Sequence, residues 1–327
     1  MTADGLLDRA VDAVLDRAVL AAVGRAGAPG RIRFTERQLY YETCRVLRPV
    51  RAVPRRVPLT PAPPVRYERF AEALRRQQGR GTLPGLLSPV PAGARRSAPP
   101  SAEPDLHDYG LPRLLVCESR SVARMLLAND VHLEAACPVF AADDLPLDPR
   151  LTAGLGRVED ATVHVLHDAS VAGIALTARV RAALRDTAPG VRVASMGLVP
   201  RHAMALHLTS RHEAGPGSGP APGPAPGAAG QATGPASGPG DMADRGGRLR
   251  SVLPAALEAR ELEWLAGGRS AEVESVPPAR LLRTVLRLVR GPRTAGPSVW
   301  TGLRELRTTG FMTWPAGPAR RHEDTRR

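Results

Sequence analysis

Apolar and polar residues follow two different periods along the chain. Over residues 5–47, and again at 66–78, apolar residues recur every three or four positions, as they do on one face of an amphipathic helix. From residue 112 onward, short apolar runs alternate with helical stretches. We therefore predict an N-terminal helical domain followed by a parallel sheet with helices on both of its faces.

The N-terminal pattern predicts three helices, at 5–25, 35–47 and 66–78. Thr35 and Gln38 have the spacing of a capping box, and Phe34 and Leu39 have that of a hydrophobic staple. The second helix should therefore begin at residue 35 or 36. The stretch GTLPGLL at 81–87 looks extended, so the region is compatible with a winged helix-turn-helix.

Four short apolar runs indicate the strands of the following region. They lie at 112–118, 137–143, 162–168 and 191–198. Helical stretches at 120–130 and 171–187 lie between them. This alternation is typical of an α/β domain built on a parallel sheet.

Composition divides the rest of the chain. Proline, alanine and serine dominate one predicted linker, and a second, rich in glycine, proline and alanine, has too few large apolar side chains to be ordered. The predicted organisation is a winged-helix domain at 1–87, a linker at 88–111, an α/β domain at 112–213, a disordered linker at 214–246, a C-terminal helical segment at 247–292 and an irregular basic tail at 293–327.

The charge of the chain favours a polyanionic partner. The formal net charge is +13 and the pI is about 11.1, which is typical of proteins that bind nucleic acid. All 45 basic residues are arginine, so part of this charge reflects a high-GC codon bias and not a binding surface. The net charge is +7 over 1–111, zero over 112–213 and +6 over 214–327, so a neutral centre has basic flanks.

Cysteine content and the N-terminus indicate the compartment. Three cysteines at irregular spacing fit neither a disulfide framework nor a zinc knuckle. The first residues carry four aspartates and have neither the cationic start nor the apolar core of a signal peptide, and no apolar run has the length of a membrane span. We therefore expect a cytoplasmic protein associated with the nucleoid, without a membrane partner.

Acidic residues close the first and the third of the predicted strands. Glu118 closes the first strand, and Asp168 closes the third. Because the carboxyl ends of parallel strands converge on one crevice, the two carboxylates should lie close together. Such a pair predicts a Mg²⁺ site, with Mn²⁺ as a possible substitute. The alternative for Asp168 is a cap for the helix that follows it.

Two tyrosines stand side by side in RFTERQLYYETCRVL, residues 33–47. Helical spacing places Tyr41 between Arg37 at i−4 and Arg45 at i+4. Positive charge favours a phenolate, and guanidinium groups bind phosphate, so Tyr41 has the surroundings of a nucleophile that attacks a phosphodiester. The alternative is an exposed ring that packs on arginine stems. Tyr40 points closer to the core and is interpreted as structural.

These stretches resemble a known superfamily. LLVCES and VLHDASVAG resemble the Toprim domain, which has a glutamate at one strand end and an Asp-x-Asp with a nearby glycine at another. TERQLYYE resembles the winged-helix motif of the topoisomerase VI A subunit and of the related meiotic double-strand-break transesterase. In that superfamily the tyrosine helix precedes the Toprim domain, as it does here. The resemblance implies a Toprim domain at 112–213.

The resemblance also implies residue roles. Tyr41 would attack DNA, Arg37 and Arg45 would stabilise the charge of the phosphorane, and Glu118 with Asp168 would hold Mg²⁺. Ser170 stands where the signature has its second aspartate, so the metal set of Glu118, Asp168 and Ser170 has one carboxylate fewer. Asp143 and Asp144 are candidate substitutes.

The same resemblance implies partners. In the superfamily the tyrosine of one protomer works with the metal site of the other, so we expect a homodimer on double-stranded DNA. The chain has no GxxxxGK[ST] motif, so strand passage would need a separate ATPase partner.

Three alternatives to this DNA-cleaving transesterase stay open. In a hydrolytic Toprim nuclease, as in some plasmid-defence systems, water attacks the phosphodiester in place of tyrosine. The serine at position 170 is compatible with a catalytically degenerate protein that binds DNA without cleaving it. An RNA-processing Toprim protein is the third.

Overall fold

The computed structural model describes residues 3–48, 58–89, 110–212 and 257–290. The predicted linker at 214–246, the tail at 293–327 and most of the linker at 88–111 lie outside these residues. The chain up to Val289 forms one unit.

Three helices make up the N-terminal region: α1 (Ala3–Ala26), α2 (Glu36–Leu47) and α3 (Tyr67–Arg80). The predicted capping box is confirmed, because Gln38 N donates to Thr35 Oγ1 at 3.0 Å and Thr35 N donates to Gln38 Oε1 at 2.9 Å. These two bonds satisfy backbone donors that a helix leaves unpaired at its start. Helix α2 therefore begins where the sequence predicts.

Helix α1 packs on α2 and α3 through a shared apolar core. Val19 of α1, Leu39 of α2 and Phe70 of α3 are fully buried in it. At the rim of this core, Asp16 accepts hydrogen bonds from Arg76 at 2.9 Å and from Arg80 at 3.0 Å. The three helices thus form a layer that supports α2 from one side.

A β-bridge joins the residue before the α2 cap to the predicted extended stretch. Phe34 N donates to Gly85 O and Leu87 N donates to Phe34 O, both at 2.9 Å. Gly85 has a φ of +85°, and a Cβ atom there would lie 2.7 Å from Ile32 O, so this close approach requires glycine. The helices and this bridge are the elements of the predicted winged helix, and that specific arrangement stays a prediction.

The second region contains the predicted parallel sheet. Its strands are β1 (Arg113–Cys117), β2 (Val139–Ala141), β3 (Thr162–Leu166) and β4 (Arg192–Ser195), in the order β2-β1-β3-β4. All three pairings are parallel, which confirms the predicted α/β class. The order places β1 and β3 side by side, with Cys117 opposite Leu166 at their carboxyl ends.

Helices cover both faces of this sheet. They are α4 (Arg120–Ala128), α5 (Val131–Glu134), α6 (Pro149–Gly156), α7 (Val171–Leu184) and α8 (Pro200–Ala205). Along β1, Leu115 and Cys117 belong to one buried core, and Leu114 and Val116 belong to another. Because successive strand residues point to opposite faces, this alternation places an apolar core on each side of the sheet.

The last described segment crosses the carboxyl ends of the strands. It contains α9 (Ala259–Ala266), β6 (Arg269–Ser270) and α10 (Pro278–Arg290), and β6 pairs antiparallel with β5 (Arg211–His212). Ala271 then forms a β-bridge with Ala169, just after β3, and a 3₁₀ turn at Val273–Ser275 packs on α2. Residues 271–275 are called the crossing segment below. Within the described ranges, no helix combines the length and apolar character that a bilayer crossing requires.

Candidate functional site

Two acidic residues meet at the ends of β1 and β3. Asp168 N donates to Glu118 Oε2 at 2.8 Å, and both side chains are partly exposed. The structure therefore brings together the two acids that the sequence placed at strand ends. Adjacent parallel strands are the physical reason, since their carboxyl ends open at the same edge of the sheet.

The first turn of α7 fits closely against this pair. A Cβ atom at Gly173 would lie 2.5 Å from Glu118 Oε2 and 2.6 Å from Asp168 O, so only glycine leaves room for the carboxylate. Ser170 is the helix cap, because its Oγ accepts a hydrogen bond from Gly173 N at 2.9 Å. The alternative that Asp168 caps α7 is therefore wrong. Ser170 is buried and uses its hydroxyl for this capping bond, which differs from the ligand position that the resemblance gave it.

The crossing segment adds two further acids, Glu272 and Glu274. Val273 N donates to Asp168 Oδ1 at 2.6 Å, so the backbone between the two acids is fixed to the strand-end pair. Burial raises the pKa of Asp168 well above its usual value, and the charge of Glu118 raises it further, with contributions from Glu272 and Glu274. Four acidic side chains thus share one electrostatic environment.

Sequence reasoning missed Glu272 and Glu274. Their alternation in SAEVESVPP, between two helical stretches, is the only local signal, because an extended Glu-x-Glu places both carboxylates on one side of the backbone.

Glu272 binds three side chains from two other elements. Its carboxylate accepts two hydrogen bonds from Arg37 at 2.8 Å each, one from the Tyr41 hydroxyl at 2.9 Å and one from Arg211. Burial would raise the pKa of Glu272, but Arg37 and Arg211 lower it below its usual value. Burial likewise opposes the charge of Arg37, and the hydrogen bonds and charge of Glu272 raise its pKa. Arg37 also lies over the ring of Tyr67, at 4.7 Å from the centroid.

The expected environment of Tyr41 is wrong in one respect. Tyr41 is 0% exposed, and burial raises the pKa of its hydroxyl, as does the charge of Glu272. Arg37 and Arg211 favour the phenolate, but their effect is smaller than these two. The phenol therefore stays protonated and donates to a carboxylate. The prediction that Tyr40 is structural agrees with its burial and its hydrogen bond to Val65 O at 2.8 Å.

Arg45 forms contacts other than those expected of a residue that would stabilise charge beside Tyr41. Its guanidinium donates to Glu42 at 2.6 and 3.1 Å and to Ser275 O at 2.6 Å. It thereby ties α2 to the crossing segment. Of the two candidate substitute acids, Asp144 accepts hydrogen bonds from Arg120 at 2.8 Å and from Ala141 N at 2.9 Å, and Asp143 is largely exposed.

A cavity of about 300 Å³ adjoins Glu274. Thr35 and Ser121 both donate to Glu274 Oε1, at 2.7 and 3.0 Å, and both line the cavity. Arg37, Arg124 and Glu36 line it as well, so its wall contains two arginines and two glutamates. The two hydroxyl groups are already bound to Glu274, and Arg37 is bound to Glu272.

The described residues contain no group of three or more His, Cys, Asp or Glu side chains arranged to hold a metal ion. The strand-end pair therefore offers two carboxylates, Glu118 and Asp168, and not a complete protein cage. Mg²⁺ in proteins is commonly held by one or two carboxylates, with water and substrate phosphate completing its shell.

The charge of Asp168 predicts a pH-dependent stability. Because the folded-state pKa of Asp168 lies above its unfolded value of about 3.9, the folded protein binds the proton more tightly, and stability falls as pH rises through the raised pKa. Asp168→Asn keeps an oxygen that accepts from Val273 N and removes this charge. In EDTA, the melting temperature of the wild type should fall as the pH rises above about 4, and that of Asp168→Asn should fall less. Parallel curves for the two proteins would contradict the assigned pKa.

No family model matches the chain, and no curated protein or solved structure matches it either. The resemblance to the Toprim domain and to the topoisomerase VI A subunit therefore rests on the motifs around Tyr41, Glu118 and Asp168. Function has to be inferred from the chemistry of these residues and of the crossing segment.

Proposed function

We propose that the protein is a metal-dependent nuclease that hydrolyses phosphodiester bonds in DNA, with Mg²⁺ held by Glu118 and Asp168. One observation carries the proposal: two partly exposed acids lie at adjacent strand ends, where the backbone N of Asp168 binds the Glu118 carboxylate at 2.8 Å, and burial and the charge of Glu118 raise the pKa of Asp168. Like charges held together oppose folding, and a divalent cation relieves that repulsion. The two acids are partly exposed to solvent, and the absence of a side chain at Gly173 makes room for the Glu118 carboxylate. Both features fit such an ion. When bound, Mg²⁺ polarises a phosphodiester and stabilises the leaving oxygen.

Water is the better nucleophile for this site than Tyr41. The hydroxyl of Tyr41 is buried, donates to Glu272 and has a raised pKa, so it lacks both the access and the charge that attack on phosphorus requires. Arg37, which would stabilise the developing charge in the transesterase, is bound to Glu272 on two of its nitrogens. These contacts favour a nuclease that uses water over a transesterase that uses tyrosine.

The cavity beside Glu274 carries charge of both signs. Arg37 and Arg124 line it together with Glu36 and Glu274, and the hydroxyl groups of Thr35 and Ser121 are bound to Glu274. The crossing segment joins this wall to the strand-end pair, because Val273 N binds Asp168. The nucleic-acid substrate of the proposal is therefore favoured by the formal net charge of +13 and not by this cavity.

The test uses supercoiled plasmid and the full chain in Mg²⁺, in Mn²⁺ and in EDTA, with products resolved before and after protease treatment. We expect nicked DNA in the presence of metal only, with the same mobility in both arms, because hydrolysis leaves no protein on the DNA. Tyr41→Phe should retain cleavage within about 3-fold while losing about 1 kcal/mol of stability from its hydrogen bond to Glu272. Tyr40→Phe, which loses the hydrogen bond to Val65 O, is the matched control.

Other outcomes would replace the proposal. Protease-sensitive DNA adducts that disappear in Tyr41→Phe and persist in Tyr40→Phe would establish the tyrosine transesterase. Salt-sensitive DNA binding without nicking in any metal would indicate a protein that binds DNA and has lost cleavage. Cleavage confined to an RNA substrate would indicate an RNA-processing enzyme.

A further inference from the structure

Helix α10 carries a row of arginines on one side. In the sequence PARLLRTVLRLVR, the basic residues are Arg280, Arg283, Arg287 and Arg290, and the helix contains no acidic residue. At about 100° per residue, these four positions fall within an arc of about 80°. Arg280, Arg283 and Arg287 are exposed, and we call these three residues the arginine row.

The opposite side of α10 is already covered by the protein. Leu281, Val285 and Val289 are buried, at 4%, 1% and 2% exposure, in the core that contains β1 and α4. An amphipathic helix binds a lipid surface by inserting its apolar face, and here that face is occupied. The exposed side therefore offers positive charge and little apolar area, with Leu288 as its main apolar neighbour.

Among the residues that the structure describes, the arginine row has no counter-charge. None of the ion pairs formed by the described residues involves Arg280, Arg283 or Arg287. The described part of α1 differs, because its aspartates pair with Arg69, Arg76 and Arg80. Arg283 Nε donates to the backbone oxygen of Ala279 at 3.2 Å, and guanidinium groups that form no ion pair with the described residues can bind an external polyanion.

We propose that the arginine row binds the phosphate backbone of duplex DNA, an inference that rests on the proposed nuclease function. Helical rise separates Arg280 from Arg287 by about 10 Å along the axis, over which one DNA strand places about three phosphates. Helix α10 begins three residues after the crossing segment, which contacts the proposed metal site. A duplex bound to the arginine row would therefore be held close in sequence to that site. Backbone contacts of this kind position DNA and do not select its sequence.

The experiment measures binding of a short fluorescent DNA duplex in EDTA, across about 50 to 200 mM salt, so that cleavage plays no part. The triple variant Arg280→Gln, Arg283→Gln and Arg287→Gln should lower the slope of log affinity against log salt by about 2 to 3, and affinity near 0.1 M salt by on the order of 100-fold. The control, Arg17→Gln, Arg179→Gln and Arg185→Gln, removes three exposed arginines, from α1, from α7 and from the position just after α7, with the same change in net charge. Its slope should stay within about 0.5 of the wild type.

Each outcome distinguishes the proposal for the arginine row from the proposed nuclease function. An unchanged slope in the row variant, or an equal loss in both variants, would overturn the inference and leave cleavage by the wild type intact. Loss of binding to anionic vesicles without loss of DNA binding would identify a lipid surface and overturn it as well. A reduced slope in the row variant, together with a wild type that never cuts plasmid, would retain the row and overturn the nuclease.

Discussion

Replacing Glu272 with alanine is expected to lower the free energy of unfolding by about 3 kcal/mol, because it leaves Arg37 as a charge without its partner in a largely buried position. The substitution also removes the acceptors of Tyr41, which is fully buried, and of Arg211. Glu272 and Arg37 retain 15% and 25% exposure, so the expected loss lies at the lower end of the range for broken buried pairs.

Urea unfolding followed by circular dichroism measures this change. Glu263→Ala, at an exposed position on α9, is the matched control and should change stability by less than about 0.5 kcal/mol. Glu272→Gln keeps one acceptor oxygen and should lie between the two. A loss below about 1 kcal/mol in Glu272→Ala would mean that the crossing segment is held by its apolar contacts and not by this carboxylate.

The fold was largely predictable because its signals are local. Thr35 and Gln38 are three residues apart, so the sequence predicted a start of α2 at residue 35 or 36, and the helix begins at Glu36. The strands of the sheet are short apolar runs bounded by helical stretches, and both the pattern and the class follow from them. The ends of elements differ by a few residues, as expected where helices and strands fray.

The surroundings of Tyr41 were not predictable from α2. An amphipathic period assigns one buried face to a helix, and Tyr41 lies off that face in the sequence pattern. The crossing segment covers the remaining side, and Tyr41 binds Glu272 across 231 positions of sequence. A contact at that separation leaves no local trace, so the same two arginines that seemed to activate Tyr41 are found bound to Glu272 and to Glu42.

The contact between the two strand-end acids, in contrast, was predictable. Glu118 and Asp168 are 50 residues apart, but a parallel sheet places the ends of neighbouring strands together whatever the connecting length. The topology of the sheet therefore made the contact between Glu118 and Asp168 predictable. Helical spacing alone did not predict the contact between Tyr41 and Glu272. Glu274 of the crossing segment lies in a 3₁₀ turn and Glu272 is the residue before it, and no periodic pattern marks this turn.

The largest effect on activity is expected at Glu118. Glu118→Gln keeps an amide oxygen that accepts from Asp168 N and removes the charge, so the fold should persist while metal-dependent cleavage falls on the order of 1000-fold. Added Mg²⁺ should raise the melting temperature of the wild type and not of the variant, which gives a readout besides cleavage. Glu159→Gln, an exposed acid with the same change in charge, is the control.

The substitution Gly173→Ala tests the position of the Glu118 carboxylate by adding one carbon beside it. In Gly173→Ala the new Cβ would lie 2.5 Å from Glu118 Oε2, so the carboxylate has to move and both cleavage and Mg²⁺ stabilisation should be lost. Gly156→Ala adds the same carbon to α6, where nothing lies within 4 Å, and should leave both unchanged. If Gly173→Ala cuts DNA at the wild-type rate, the position of Glu118 does not matter to the reaction, and the strand-end pair is not the site of cleavage.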